Sequence, residues 1–392
     1  MLRRFAPGLL AVILAQLIFF PPSSFAQRIV DLTASDGTKL KASYFAAKPG
    51  PGVLLLHQCN RQRKVWDDLA QQLSAAGINV LTLDYRGFGE SAGDRFDKLP
   101  PDKAAQVMDE GFPGDIDAAF RYLISQPGVT HDVIGIGGAS CGVNNSIQAA
   151  RRHPEVKSLV LLSGGTDLRG RQFLRQPKAL PVFFAVADND EFQPTVQVVE
   201  WLYSVAANPG KQFAHYQTGG HGADMFKVHP ELEKAIVDWY VTTLIKTPGR
   251  APVSKDAPAT TPEARPLDLI DQPGGPAKVS KMLDEARQHD PHANLFPEAI
   301  ANLLGYEHLQ SGDTAGAVEI LKLNVTAYPN SPNAYDSLSD AYLAANQKDL
   351  ARQSVQRALD LLPSDTTDTQ DFRAQLKAAD EAKLKQLSDA PK

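Results

Sequence analysis

The stretch Gly138-Ala139-Ser140-Cys141-Gly142 constrains this chain more than any other feature. It follows Val133-Ile134-Gly135-Ile136-Gly137, an apolar run that reads as a buried strand, and precedes Val143 to Arg152, which reads as a helix. A turn that carries a strand straight into a helix leaves no room for side chains beside its central residue, so glycine is expected on both sides. Ser140 is then held in a strained conformation, with its hydroxyl projecting at the carboxyl edge of a sheet. Such a turn belongs in an open, mainly parallel sheet.

The pattern from 28 to 246 agrees, with strands alternating with helices as in a sheet covered on both faces. Arg28 to Ala34 and Lys39 to Phe45 flank the hairpin signal Ser35-Asp36-Gly37-Thr38. Val53 to His57, Ile78 to Leu83, Val156 to Leu162 and Pro181 to Ala187 read as buried strands, and Gln212 to Gln217 as a short one. Lys64 to Ala75, Gly114 to Ser125, Thr195 to Ala206 and Glu231 to Ile245 read as helices. Residues 92–112 read as a short polar excursion, and no long apolar insertion separates Leu162 from Pro181. A fairly open site without a large lid is therefore expected.

Residues 247–275, with six prolines among Ala, Thr and Gly, read as a semi-extended, unpacked linker. Residues 276–392 are helical by pattern and contain a repeat. Residues 298–331 align with 332 onward at a shift of 34: Leu304 falls on Leu338, Ala317 on Ala351, Gly312 on Asn346 and Pro329 on Pro363. This resembles the tetratricopeptide repeat, with 277–289 and 371–387 as expected capping helices. The resemblance implies a protein or peptide partner on a small concave face, with self-association or a plain spacer as alternatives.

The chain begins Met1-Leu2-Arg3-Arg4, runs apolar from Leu9 to Phe20 and continues through Ser24-Phe25-Ala26. This reads as a signal peptide over 1–26, and export to a bacterial periplasm or beyond is expected. An uncleaved anchor is the alternative; no other segment reads as a membrane span. With 40 Lys plus Arg against 45 Asp plus Glu, the net charge is −5, and no basic stripe suggests nucleic acid. Neither the two cysteines nor any paired cluster has zinc-ligand spacing.

Acyl transfer by serine needs a base, an acid to orient it and amide donors for an oxyanion. In the hydrolase-type sheet that such a serine turn resembles, the partners follow in the order Ser, acid, His. The chain supplies Ser140, then Asp190 with Asp188 as the alternative acid, then His221 in Gly219-Gly220-His221-Gly222. The amides of Cys141 and of Cys59, in the loop His57-Gln58-Cys59-Asn60, are the expected oxyanion donors. His57 reads as a loop anchor, and His215 and His229 as structural.

Taken together, Leu55-Leu56-His57, the run from Asp84 to Ser91, the Ser140 turn, Asp190 to Pro194 and Gly220-His221-Gly222 resemble the α/β-hydrolases, in particular the dienelactone-hydrolase-like branch. The resemblance covers 27–246 and implies a doubly wound α/β sheet. It also implies a serine hydrolase acting on small esters or lactones without metal or cofactor. The family includes peptidases and thioesterases, so an exported peptidase is a second reading. An adaptor with an inactive hydrolase scaffold is a third. The chain departs from the family at Gln58 and Ala187, where glycine is usual, and its nucleophile position is Ser140 where dienelactone enzymes carry cysteine. With both cysteines at oxyanion positions on adjacent strand ends, a Cys59–Cys141 disulfide is expected, and two free buried thiols are the alternative. Arg169, Arg171 and Arg175 read as a solvated loop face, with attraction of an anionic substrate as the other reading.

Overall fold

The computed structural model describes residues 27–176, 180–192, 194–253 and 264–389. The expected signal peptide lies outside them, as does the middle of the expected linker. The strands are β1 (Gln27–Thr33), β2 (Lys39–Phe45), β3 (Gly50–Leu56), β4 (Asn79–Leu83), β5 (Val129–Ala139), β6 (Val156–Leu162), β7 (Val182–Ala187) and β8 (Lys211–Tyr216). They form one sheet in the order β1-β2-β4-β3-β5-β6-β7-β8. The β1–β2 and β2–β4 pairs are antiparallel, and all others are parallel.

Strand side chains alternate between faces, and this sorts the core. From β3, Leu54 and Leu56 join one apolar cluster while Val53 and Leu55 join the other. Helices α1 (Asp67–Ala75) and α7 (Pro230–Tyr240) cover the second face through Leu69, Leu73, Ile236 and Trp239. The first face lies under α3 (Phe112–Ser125), α4 (Cys141–Arg152) and α6 (Thr195–Val205). Two further helices arise in segments expected to be irregular: α2 (Pro101–Gln106) in the excursion after β4, and α5 (Leu168–Leu174) between β6 and β7.

The expected unpacked linker holds over 247–253, which are irregular and mostly exposed, but not over 264–275. α8 (Ala264–Ile270) is a helix with Ala264, Leu267 and Ile270 each 1% exposed. Pro266 sits in its first turn, where a missing N–H costs nothing. One continuous apolar cluster runs from the sheet through Trp201 and Leu202 of α6 and Ile270 of α8 to the helices beyond. There it takes in Leu283 of α9 (Gly275–His289) and Leu304 of α10 (Glu298–Gln310).

After α10 come α11 (Thr314–Ala327), α12 (Pro332–Ala344), α13 (Lys348–Leu361) and α14 (Gln370–Asp389). The α10–α11 hairpin begins at 298 and 314 and the α12–α13 hairpin at 332 and 348, the interval of 34 read from the sequence. The aligned Leu304, Leu338, Ala317 and Ala351 are all buried. Gly312 (φ +86) and Asn346 (φ 57) share the left-handed conformation that ends a helix. Among the described residues no helix is long and apolar enough to cross a membrane.

Candidate active site

Ser140 lies between β5 and α4 with φ 54 and ψ −121, the only residue between strand and helix. This conformation costs of the order of 1–3 kcal/mol and persists only where its surroundings enforce it. A Cβ on Gly138 would overlap the Gly142 carbonyl, and one on Gly142 would overlap the Leu56 carbonyl. Both glycines are therefore required by close backbone approach. The Ser140 N–H donates to the Leu162 carbonyl at 2.9 Å, which ties the turn to β6.

His221 sits in the loop after β8 and is 4% exposed. Its Nδ1–H donates to Asp190, at 2.8 and 2.9 Å from the two carboxylate oxygens. Asp190 is also buried, in the turn after β7 that is closed by its own N–H to the Ala187 carbonyl. Asp188, the alternative acid, is corrected here. It pairs with Nε2 of the exposed His215 at 2.6 Å. The Phe192 ring packs on the His221 ring with centroids 4.5 Å apart, yet Phe192 remains 51% exposed, an apolar surface beside the imidazole.

The histidine loop is joined to the β3 loop by Gln58, a residue to which sequence reasoning gave no role. Its buried amide donates from Nε2 to the His221 carbonyl at 3.2 Å and accepts at Oε1 from the Ala223 N–H at 2.9 Å. Gly222 lies against Ala139, the residue before Ser140, with room for nothing larger: a Cβ there would stand 3.1 Å from the Ala139 Cβ. The loops carrying His221, Gln58 and Ser140 thus meet at one edge of the sheet.

His57 is fully buried between Tyr85 and Phe88, and burial pushes its imidazole down to about 4. A neutral ring fits its bonds: Nδ1–H donates to the Gln58 carbonyl at 2.8 Å and Nε2 accepts from the Tyr85 N–H at 3.4 Å. It anchors the loop, as expected. The Asp84–Ser91 motif is likewise structural. The buried Asp84 carboxylate takes the Arg63 N–H at 2.7 Å, the Arg63 guanidinium and the Glu90 N–H at 3.1 Å.

Cys59 and Cys141 form a disulfide with Cα atoms 5.9 Å apart. The bond joins the β3 loop to the first residue of α4, whose N–H lies outside the helical ladder. Among the described residues no group of three or more His, Cys, Asp or Glu side chains is placed to hold a metal ion.

The three arginines expected on a solvated loop are the clearest departure from the sequence reading. Arg171 is 1% exposed and pairs with Asp271 and Glu307, and Arg175 pairs with Asp268 and Asp271. Only Arg169 is exposed.

A family model described as serine aminopeptidase, S33, matches residues 47–180, which hold Ser140 but neither Asp190 nor His221. An uncharacterized protein of Mycobacterium tuberculosis is 30% identical over 178 residues, 42% of this chain and 59% of that one. Thiohydrolase aneE of Aspergillus aculeatus is 28% identical over 193 residues, 46% of this chain and 57% of that one. The chain thus spans less than two thirds of the length of these relatives. Among solved structures, the Pyrococcus furiosus esterase Pf2001 superposes with a TM-score of 0.47 at 20% identity, covering 56% of this chain and 93% of that one.

Proposed function

We propose that this chain is an exported serine hydrolase of the α/β-hydrolase family that cleaves carboxylic esters. The observation that carries the reading is the Asp190–His221 pair, held at 2.8 Å beside the strained Ser140 turn. With Nδ1–H committed to Asp190, the His221 Nε2 carries the lone pair and serves as general base. Ser140 Oγ attacks the ester carbonyl and its proton passes to His221 Nε2. The amides of Cys141 and Cys59 stabilise the oxyanion. His221 then returns the proton to the leaving alcohol, and water resolves the acyl-enzyme by the same route.

Export rests on the leader-like segment 1–26, and the disulfide favours an oxidising compartment. Thioesters are the nearest extension, given the name of the Aspergillus relative, since the same attack cleaves them. A peptidase is the second reading, favoured by the description of the matching family model. The paired hairpins of 298–361 resemble tetratricopeptide repeats and make a peptide partner a further part of the proposal.

Hydrolysis of p-nitrophenyl esters from acetate to decanoate by the mature protein and by Ser140→Ala is the test. Wild-type turnover that disappears in the variant supports the reading, and its chain-length profile sizes the acyl site. A folded wild type that leaves every ester intact while releasing aminoacyl anilides transfers the assignment to the peptidase. Inactivity on both leaves the adaptor.

A further inference from the structure

The contacts behind Ser140 continue beyond the sheet. The strap after β6, residues 163–167, backs the turn. Gly164 runs so close that a Cβ on it would lie 2.5 Å from the Ser140 carbonyl oxygen. Ser163 holds φ 49 in this strap, and its buried hydroxyl has no hydrogen-bond partner among the described residues. From the α4 side, Asn144 Oδ1 accepts from Thr166 Oγ1 at 2.7 Å. From the opposite side, Arg171 Nη1 donates to the Thr166 carbonyl at 2.7 Å.

The rest of that guanidinium is held from outside the hydrolase unit. Nε and Nη2 donate to Asp271, just after α8, at 3.0 and 2.7 Å, and Nη2 also donates to Glu307 of α10 at 2.6 Å. Its underside covers the Trp201 ring at 4.7 Å. A charge buried this deeply is stable only while its partners are present.

We propose that Arg171 is a positioning residue through which the C-terminal helices fix the strap behind the nucleophile. This rests on the hydrolase reading above. Glu307 and Asp271 hold Arg171, Arg171 holds Thr166, and Thr166 holds Asn144 one turn from Ser140. The strap contains a left-handed serine, a conformation that its surroundings must enforce. Loss of a carboxylate frees the guanidinium and, with it, the strap. The helical region is thereby part of the catalytic unit.

The test uses full-length Glu307→Gln and Arg171→Met, with Asp349→Asn as control. Asp349 lies in α13 of the same helical region, is exposed and pairs with Arg352. Two readouts are taken on protein shown to be folded by circular dichroism: kcat and KM on p-nitrophenyl butyrate, and the rate at which a fluorophosphonate labels Ser140. The expected result is a fall of about tenfold or more in kcat and in labelling rate for both variants, because small displacements of a nucleophile are costly. KM should stay within about twofold, as lost positioning rather than lost binding requires. The control should match wild type. Variants that melt earlier but label and turn over normally would show Arg171 to be merely structural and overturn the proposal, as would an equal loss in Asp349→Asn. A wild type that neither labels nor hydrolyses fails the hydrolase reading itself, and is told apart because the comparison among variants then never arises.

Discussion

Gln58 replaces the glycine that the family resemblance leads one to expect, and both ends of its amide are used. In Gln58→Ala the His221 carbonyl and the Ala223 N–H lose their shared partner in a buried region. At about 1–3 kcal/mol for each stranded group, urea unfolding should register a loss of about 2 kcal/mol or more, and kcat should fall as the histidine loop loosens. Unchanged stability and turnover would remove the clamp from the account. Ser140 and His221 were legible because a glycine-flanked serine and a glycine-flanked histidine have few other reasons to exist at strand ends. Asp190 and Asp188 could be ranked but not separated, because two residues of spacing say nothing about which carboxylate finds which imidazole. In the fold Asp188 bonds His215 and Asp190 bonds His221, which favours Asp190. Gln58 was read only as a departure, since its partners lie more than 160 residues away.

Among the elements, the strands and longer helices follow from periodicity, and the two hairpins from the 34-residue interval. The seven-residue α5 and α8 do not. Helices of two turns are too short for an amphipathic pattern to stand out, and tertiary packing rather than propensity stabilises them. Arg171 and Arg175 looked solvated because their carboxylates appear about 100 residues later in the chain. At this scale the disulfide makes a measurable claim. It joins two elements 82 residues apart, a loop whose closure is worth about 4–5 kcal/mol in the chain-entropy model. Equilibrium unfolding of Cys59→Ser/Cys141→Ser should lose much of that amount, together with the proposed esterase activity, because both amides proposed for the oxyanion sit on the linked residues. A loss below about 1 kcal/mol would mean that the bond does little for the folded state.

For the whole molecule, the junction of sheet and helices is a network of ionisable groups, and its titration has a direction. Burial alone would raise the Asp271 carboxyl, but the His308 imidazole and the Arg171 guanidinium overrule it and hold it well below 3.8. Its contribution is present above that value and is lost as acid protonates it in the folded state. Burial likewise opposes charge on His308, yet the neighbouring Asp271 and Asp313 raise it above 6.5. That contribution is complete below 6.5 and fades as pH rises through the folded value. Glu307 is raised above 4.5 because burial outweighs Arg171, so it too favours the acid side. Thermal midpoints measured across pH should therefore peak in mild acid, between about 4 and 6.5, and decline in both directions. A midpoint that climbs steadily from pH 5 to about 8 contradicts the assignment.

The same junction has a consequence for where the molecule can be cut. In chain order the sheet, with α5 and α6, is complete well before the acids that neutralise Arg171. Asp271 comes 100 residues after the arginine and Glu307 136. A chain cut between α6 and α8 would hold a buried cation with no carboxylate to meet it. Under the proposed coupling, the support behind Ser140 is complete only when α8 and α10 have packed, so the sheet cannot be made self-sufficient by trimming the helices away.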